Sequence, residues 1–471
     1  MANRSAILET VGIIKNNLTE PIVVVVSALA GVTDCLLDLA NSAVTVQDFK
    51  PTWAQLRLQH LKIVDQTVRP DQFVNNHDDL SCHVIGQVEN LFVELERVLF
   101  EVTQNQKLFV AAKDLIVSFG ERLSAQIVAA VLREQSVRAV SVDARDCLVT
   151  DDNFTDANVD FENTRLKVLK NILPLLTEQQ VVVVTGFIGA TLAGETTTIG
   201  RGGSDYTAAI LASLLPAREL WIWKEVDGVL SADPRVVPEA RLIEAMSYQE
   251  AAELSYFGAK ILHFKTMLPI MRAEIPVRLR NTFAPLAAGT VISSLGGPSH
   301  HIKAVTAKKA MQMVTVEGVG MAGVTGFAAK VFAAAARAQV NLVMFSQSSS
   351  EQNICLLVES SQTVKLKAVL VEDLAVDILK QVVDPIKVSQ AVAVIAVVGD
   401  GMRGESGTAA QVFAAVASCG VNILAIAQGS SERIISFVVL ESEADKVVRK
   451  IHAKCLEATA KIFKHAYEQN I

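Results

Sequence analysis

The sequence predicts an α/β protein, a mostly parallel sheet sandwiched by helices and followed by two copies of a smaller ferredoxin-like module. Three observations carry this. Short β-branched runs alternate with helical runs, a pattern that implies a parallel sheet covered on both faces. A stretch rich in Ser, Gly, Pro and His at 293–301 then breaks the pattern. Beyond it the chain repeats itself at an offset of 81 positions.

The first strands are expected at 22–27, 139–142, 181–185 and 220–223, with helices at 126–133 and 205–215. Val88, Leu91, Phe92, Leu95 and Val98 recur at helical spacing, which makes 51–113 a helical insertion or cap on the sheet. At 471 residues, 51% hydrophobic and 20% charged, the chain has material for roughly two to four domains. Its net charge of −7 offers no basic field, so no nucleic-acid partner is expected. The most apolar runs, 22–26, 181–184 and 391–398, are too short to span a bilayer and read as buried strands, so no membrane partner is expected either. Six cysteines lie scattered without a CxxC pair, and residues 1–15 show no cationic flank before an apolar stretch. Both features point to reduced thiols in the cytoplasm.

In the repeat, Gly320-Met-Ala-Gly-Val-Thr-Gly-Phe-Ala-Ala returns as Gly401-Met-Arg-Gly-Glu-Ser-Gly-Thr-Ala-Ala, while Val340-Asn341 and Gln347 return as Val421-Asn422 and Gln428. Each copy reads strand, Gly-rich turn, Ala-rich helix, strand, polar turn, strand, the front of a βαββαβ unit. The expected layout is a first domain at 1–292, a linker at 293–301, one repeat at 302–390 and a second at 391–471. Gly318-Val-Gly-Met-Ala-Gly323 matches the dinucleotide fingerprint, but the next strand ends in Ser346-Gln347 rather than in the carboxylate that would hold a ribose. Those glycines therefore read as the bend of the repeated module.

Four segments at expected strand ends should converge on one crevice. The first runs from Ser27 to Thr33, small and hydroxyl-bearing, suited to backbone approach by an anion. The second, Ser118-Phe-Gly-Glu-Arg-Leu-Ser124, sets Glu121 at the start of a helix. In the third, Gly200-Arg-Gly-Gly-Ser-Asp-Tyr206 precedes an Ala-rich helix that Ser204 or Asp205 can cap; Arg201 can hold a carboxylate with its guanidinium fork. The fourth spans Lys224, Glu225, Asp227, Gly228, Asp233 and Arg235, two turns that can rim a nucleotide. There is no GxxxxGK[ST], no zinc-ligand spacing and no GxSxG elbow, which excludes a P-loop NTPase, a zinc site and an α/β-hydrolase nucleophile. A Gly-rich cradle, an Arg and acidic residues suit phosphoryl transfer to an amino acid.

These segments, together with Met246-Ser-Tyr-Gln-Glu-Ala-Ala-Glu-Leu-Ser-Tyr-Phe-Gly-Ala-Lys260 and both repeats, resemble the aspartokinase family, most closely the kinase portion of the bifunctional aspartokinase-homoserine dehydrogenases. The resemblance implies an amino-acid-kinase fold with two ACT domains, and transfer of the γ-phosphoryl of ATP, with Mg²⁺, to the β-carboxylate of L-aspartate. It implies that Arg201 takes the substrate α-carboxylate and that Glu121 and Asp205 help with the ammonium. Ser27, Thr33 and Ser204 would line the same pocket, and Lys260 and Arg235 would lie near the phosphates. Asn341, Gln347, Asn422 and Gln428 match positions that contact an effector, threonine or lysine, at a homodimer interface. Residues 302–308 would pair with the unit starting near Ala391, because one ACT unit is usually inserted in the other.

Three departures are legible. The family opens with a strand and Lys-Phe-Gly-Gly-Thr-Ser, whereas this sequence starts at Met1-Ala-Asn3; Lys224-Glu225 stand where Thr-Asp is usual; and His263-Phe264 replaces His-Pro. Missing charge stabilisation from one Lys costs roughly 10²–10³ in rate. The departures predict weak turnover for the chain as written, with a catalytically impaired regulatory paralogue as the alternative.

Overall fold

The computed structural model describes residues 4–45, 48–68, 78–258, 262–297, 302–429 and 431–457. It divides into two units, Met1–Gly228 with Leu262–Ser294, and Val229–Ile261 with Leu295–Ile471. Residues 229–258, inside the expected 1–292 segment, thus pack with the second unit.

The first unit is built on the strands Val23–Val26, Val181–Thr185 and Ala139–Val142, with the second of these in the middle and both neighbours parallel to it. Val181–Thr185 is buried along its whole length. Its alternate residues part company, as strand geometry demands. Val181 and Val183 join a core with Ile7, Leu36, Phe92, Leu95 and Leu123, whereas Val182 and Val184 join another with Leu148, Val168, Ile188 and Ile210. Helices therefore cover both faces, as the strand-helix alternation predicts. Leu220–Lys224 pairs in parallel with Val277–Asn281, and Thr290–Ser293 runs antiparallel to the latter.

The expected helical insertion forms the helices Lys50–Val68 and Asp78–Asn105, and Val88, Phe92, Leu95 and Val98 are all buried. One element departs from expectation. Val110–Glu134 is a single 25-residue helix, with Gly120 and Glu121 at its middle rather than at a helix start. By length and composition it could cross a membrane, but 83% of its most apolar window is buried inside the unit. It is a core helix, and each such fully buried aliphatic residue contributes about 1.5–3 kcal/mol.

The second unit holds one seven-stranded sheet, in which each repeat has a four-stranded ferredoxin-like part and the long strand Ala304–Glu317 is common to both. Met344–Gln347, Asn353–Glu359, the distal part of Ala304–Glu317 and Lys387–Val388 make one, with Asn353–Glu359 antiparallel to both Met344–Gln347 and the long strand. Ala425–Ala427, Ile434–Leu440 and Val392–Val398 make the other, and its fourth strand is the proximal part of Ala304–Glu317, with Ala304 opposite Val398 and Lys308 opposite Val394. The register shifts between Lys308 and Met311, where the long strand passes from one module to the next. Residues 302–308 thus serve the second copy, as expected for interleaved modules. Gly318 and Gly320 are where residues 382–383 come closest: a Cβ on Gly318 would stand 2.2 Å from the Val382 carbonyl oxygen. This packing demand explains the first two glycines of the dinucleotide-like spacing, and the third, Gly323, stands in the left-handed region at φ 74°.

Segment 229–258 is tied into the same unit. Ser247 and Glu250 form a capping box that starts the helix Tyr248–Tyr256. Glu250, fully buried, accepts from Lys303 Nζ at 2.8 Å and from the Asp400 N–H at 2.7 Å. The Tyr256 hydroxyl donates to the Val343 carbonyl at 3.2 Å. All six cysteines are free.

Candidate functional site

A cleft of about 1470 Å³ opens in the first unit along Val23–Val26 and Leu220–Lys224 and ends among polar groups. Ser27, Thr33, Glu121, Arg201, Ser204, Asp205, Lys224 and Glu225 all line it, so the first three segments meet there and the fourth joins them through Lys224 and Glu225 alone. Only Val23–Val26 brings its carboxyl end here from the parallel sheet; the Gly-rich loop follows Thr196–Thr198, antiparallel to Ile188–Thr191 in a separate sheet, Leu220–Lys224 belongs to a third, and Glu121 arrives from mid-helix.

Ser27 directly follows its strand, and Thr33 lies in the first turn of the helix Val32–Val44, which opens at Gly31 in the left-handed region at φ 76°. Glu121 reaches the same place from the middle of its helix. Its Oε1 accepts from the Ala28 N–H at 3.2 Å, and its buried Oε2 has no partner. Burial pushes the Glu121 carboxyl up to about 7, opposed by the N–H groups of Ala28 and of Glu121 itself. An ionised oxygen held there without a partner is costly, and an incoming cation would relieve that cost.

The helix Gly203–Leu214 presents its N-terminus to the cleft, but neither Ser204 nor Asp205 caps it. The cap is Gly202, left-handed at φ 73°, with a close approach to His263 that a Cβ would bring to 2.6 Å. Ser204 and Asp205 instead occupy the first turn, where free N–H groups and the dipole favour an anion. Arg201 is exposed on the preceding loop, and its guanidinium makes no ion pair among the described residues. His263, at the departure from His-Pro, N-caps the helix Phe264–Ala273 by accepting from the Lys265 N–H. Its pKa is lowered, by burial first and then by Lys265.

Two features of this site were not legible in the sequence. Asp114, buried on the helix Val110–Glu134, accepts from the N–H groups of Thr155 and Thr198, both at 2.8 Å, and from the Thr198 hydroxyl at 3.1 Å. It pins the strand that leads into the Gly-rich loop. The ammonium of Lys224 donates to Asp205 Oδ2 at 2.7 Å. Side chains 19 positions apart and on different elements leave no periodic signal.

Of the nucleotide-rim candidates, Glu225 lies exposed on the cleft, while Asp227 accepts from Asn281 Nδ2 at 2.7 Å. Gly228 ends the first of the two segments that make up the first unit. Asp233 and Arg235 belong to the second unit and pair with each other at 2.6 Å. Lys260 lies outside the described residues. The effector candidates Asn341, Gln347, Asn422 and Gln428 are all exposed. Each Asn precedes its strand by three residues rather than starting it, Gln347 ends the first strand, and Gln428 follows the second. Both modules also share a contact that was not foreseen: Glu351 accepts from the Gly323 N–H at 3.1 Å, and Glu432 from the Gly404 N–H at 2.8 Å.

Comparison with known proteins agrees with this geometry. Residues 1–281 match the amino acid kinase family, and residues 314–374 and 395–455 each match the ACT domain. The chain belongs to the amino acid kinase family, and within it to the aspartokinases. It is 35% identical over 438 residues to the bifunctional aspartokinase/homoserine dehydrogenase of Haemophilus influenzae, an alignment covering 93% of this chain and 53% of that protein. It is 31% identical to the lysine-sensitive aspartokinase 3 of Escherichia coli, with 92% of each covered. The chain spans about half the length of the bifunctional relatives it matches. Among solved structures, Escherichia coli aspartokinase III in complex with aspartate and ADP superposes with a TM-score of 0.81 at 29% identity, covering 97% of each chain. The same enzyme with lysine and aspartate gives 0.74.

Proposed function

We propose that this chain transfers the γ-phosphoryl of ATP to the β-carboxylate of L-aspartate and that its ACT modules regulate the transfer. The observation that carries the reading is the pairing, in one cleft, of an unengaged guanidinium at Arg201 with an unpartnered buried carboxylate oxygen at Glu121. An α-amino acid presents the complement, a carboxylate for the fork and an ammonium for the carboxylate. Bound that way, its side-chain carboxylate points along the cleft toward the nucleotide. Phosphoryl transfer asks the protein mainly for alignment and charge stabilisation. The N–H groups opening Gly203–Leu214, with Thr33 and Ser204, would steady the transferring group, and Lys224, Glu225, Asp227 and Gly228 would hold the nucleotide.

No group of three or more His, Cys, Asp or Glu among the described residues could hold a metal alone. Mg²⁺ is held largely by phosphates and water with one or two carboxylates; Glu225 would supply one. When bound it neutralises phosphate charge. Threonine is the preferred effector, from the likeness to bifunctional enzymes, and lysine, which occupies the Escherichia coli relative, is second. A homodimer joined through the modules would couple effector to kinase site.

Release of ADP, followed with a coupled assay, should require L-aspartate and should not occur with glutamate as acceptor. Effector binding without any aspartate-dependent ADP release would instead favour a regulatory paralogue.

A further inference from the structure

Lys224 ends the strand Leu220–Lys224, and its ammonium lies 2.7 Å from Asp205 Oδ2 in the first turn of Gly203–Leu214. Both side chains line the cleft, 33% and 19% exposed. The cleft thus presents two carboxylates in opposite states. Glu121 keeps a buried oxygen without a partner, whereas Asp205 already holds a primary ammonium on a flexible four-carbon stem. That ammonium is the same chemical group that a free amino acid would bring. Partial exposure keeps such a pair exchangeable, unlike a fully buried one.

Resting on the aspartate reading, and deepening it, we propose that Lys224 is an internal competitor for the ligand's α-ammonium: it occupies Asp205 in the empty cleft and leaves when the ligand's ammonium takes that carboxylate. Lys224 is then a specificity-determining residue. A dicarboxylate without an ammonium has nothing to exchange for it and gains nothing from Asp205. After the exchange, the freed cation remains tethered at the strand end, inside a cleft that now holds anions.

The test compares L-aspartate with succinate, which lacks only the ammonium, by calorimetry on the full chain. Removing a cation weakens succinate, a dianion, more than aspartate, whose net charge is −1, so the ratio of the two dissociation constants is read with and without Asp205. In Lys224→Met the ratio should shift about tenfold in favour of aspartate, the value of one charge-assisted contact. Lys224→Arg should keep the wild-type ratio, and Lys224→Met combined with Asp205→Asn should lose the gain. An unchanged ratio in Lys224→Met, or the same gain without Asp205, overturns the proposal.

A second readout needs no turnover. Acetic anhydride labelling of Lys224, followed by mass spectrometry, should be faster in Asp205→Asn and, in the wild type, faster with aspartate but not with succinate. If aspartate binds without unmasking Lys224, the competitor role falls and the aspartate reading stands. If aspartate does not bind at all, the aspartate reading falls, and the labelling of wild type against Asp205→Asn still decides whether Asp205 holds Lys224; equal rates refute it.

Discussion

Glu121→Gln separates two demands placed on one carboxyl. The side chain is 3% exposed, with one oxygen on the Ala28 N–H and the other unpartnered. Burial raises its pKa from 4.5 to about 7. The folded chain therefore binds the Glu121 proton more tightly than the unfolded chain. Its contribution to stability is intact below pH 4.5 and is lost as pH rises through 7. A gap of that size corresponds to about 3 kcal/mol at pH 8. Gln reproduces the neutral, protonated side chain, so the variant should match the wild type near pH 4.5 and exceed it by up to about 3 kcal/mol at pH 8. The same titration governs the ligand with opposite sign. Only the carboxylate holds an ammonium, so wild-type affinity for aspartate should rise roughly tenfold from pH 6 to pH 8, while the variant stays weak and flat. Urea melts and aspartate calorimetry across that range read both. A variant that is less stable by the same amount at pH 5 and pH 8 would refute the reasoning, because it would mean that ionising Glu121 carries no burial penalty.

Other consequences follow from the same geometry. Arg201→Ala should raise the aspartate KM strongly and leave the ATP KM nearly unchanged, since a guanidinium fork supplies two charge-assisted hydrogen bonds of about 1.5–3 kcal/mol each; steady-state kinetics decide it, and an equal ATP effect would move Arg201 to the nucleotide. Asp114→Ala leaves the buried Thr198 N–H without its acceptor, while the exposed Thr155 N–H turns to water, and should cost about 1–3 kcal/mol in a denaturant melt, the value of one unsatisfied buried group. Threonine or lysine should bind the full chain calorimetrically, with heat reduced in Gln347→Ala and Gln428→Ala; binding untouched by both would remove those amides from the effector site.

Much of this was legible in the sequence, for physical reasons that can be named. Val181–Thr185 announces itself because a strand covered on both faces must be apolar throughout. The modules are legible because the Gly-rich turn and the Asn and Gln positions recur at one offset. The middle of Val110–Glu134 was misread as a helix start, since Ser118 has the residue type of a cap, while Phe109, the residue that does stand at the N-cap, offers no side-chain cap hydrogen bond to signal the beginning. Ser204 and Asp205 likewise look like caps, but the left-handed backbone at Gly202 ends the loop earlier. The Lys224–Asp205 pair exists only because a strand end and a helix start meet in space, and local sequence carries no trace of that.

The central claim is that one cleft aligns an amino acid's side-chain carboxylate with the γ-phosphoryl of ATP. Hydroxylamine trapping tests it most directly, because it reports which carboxylate was activated. Incubation of the full chain with ATP, Mg²⁺, L-aspartate and hydroxylamine should yield L-aspartate β-hydroxamate by mass spectrometry, with yield falling together with aspartate affinity in Arg201→Ala. Product formed at the α-carboxylate, or yield indifferent to Arg201, would contradict the account.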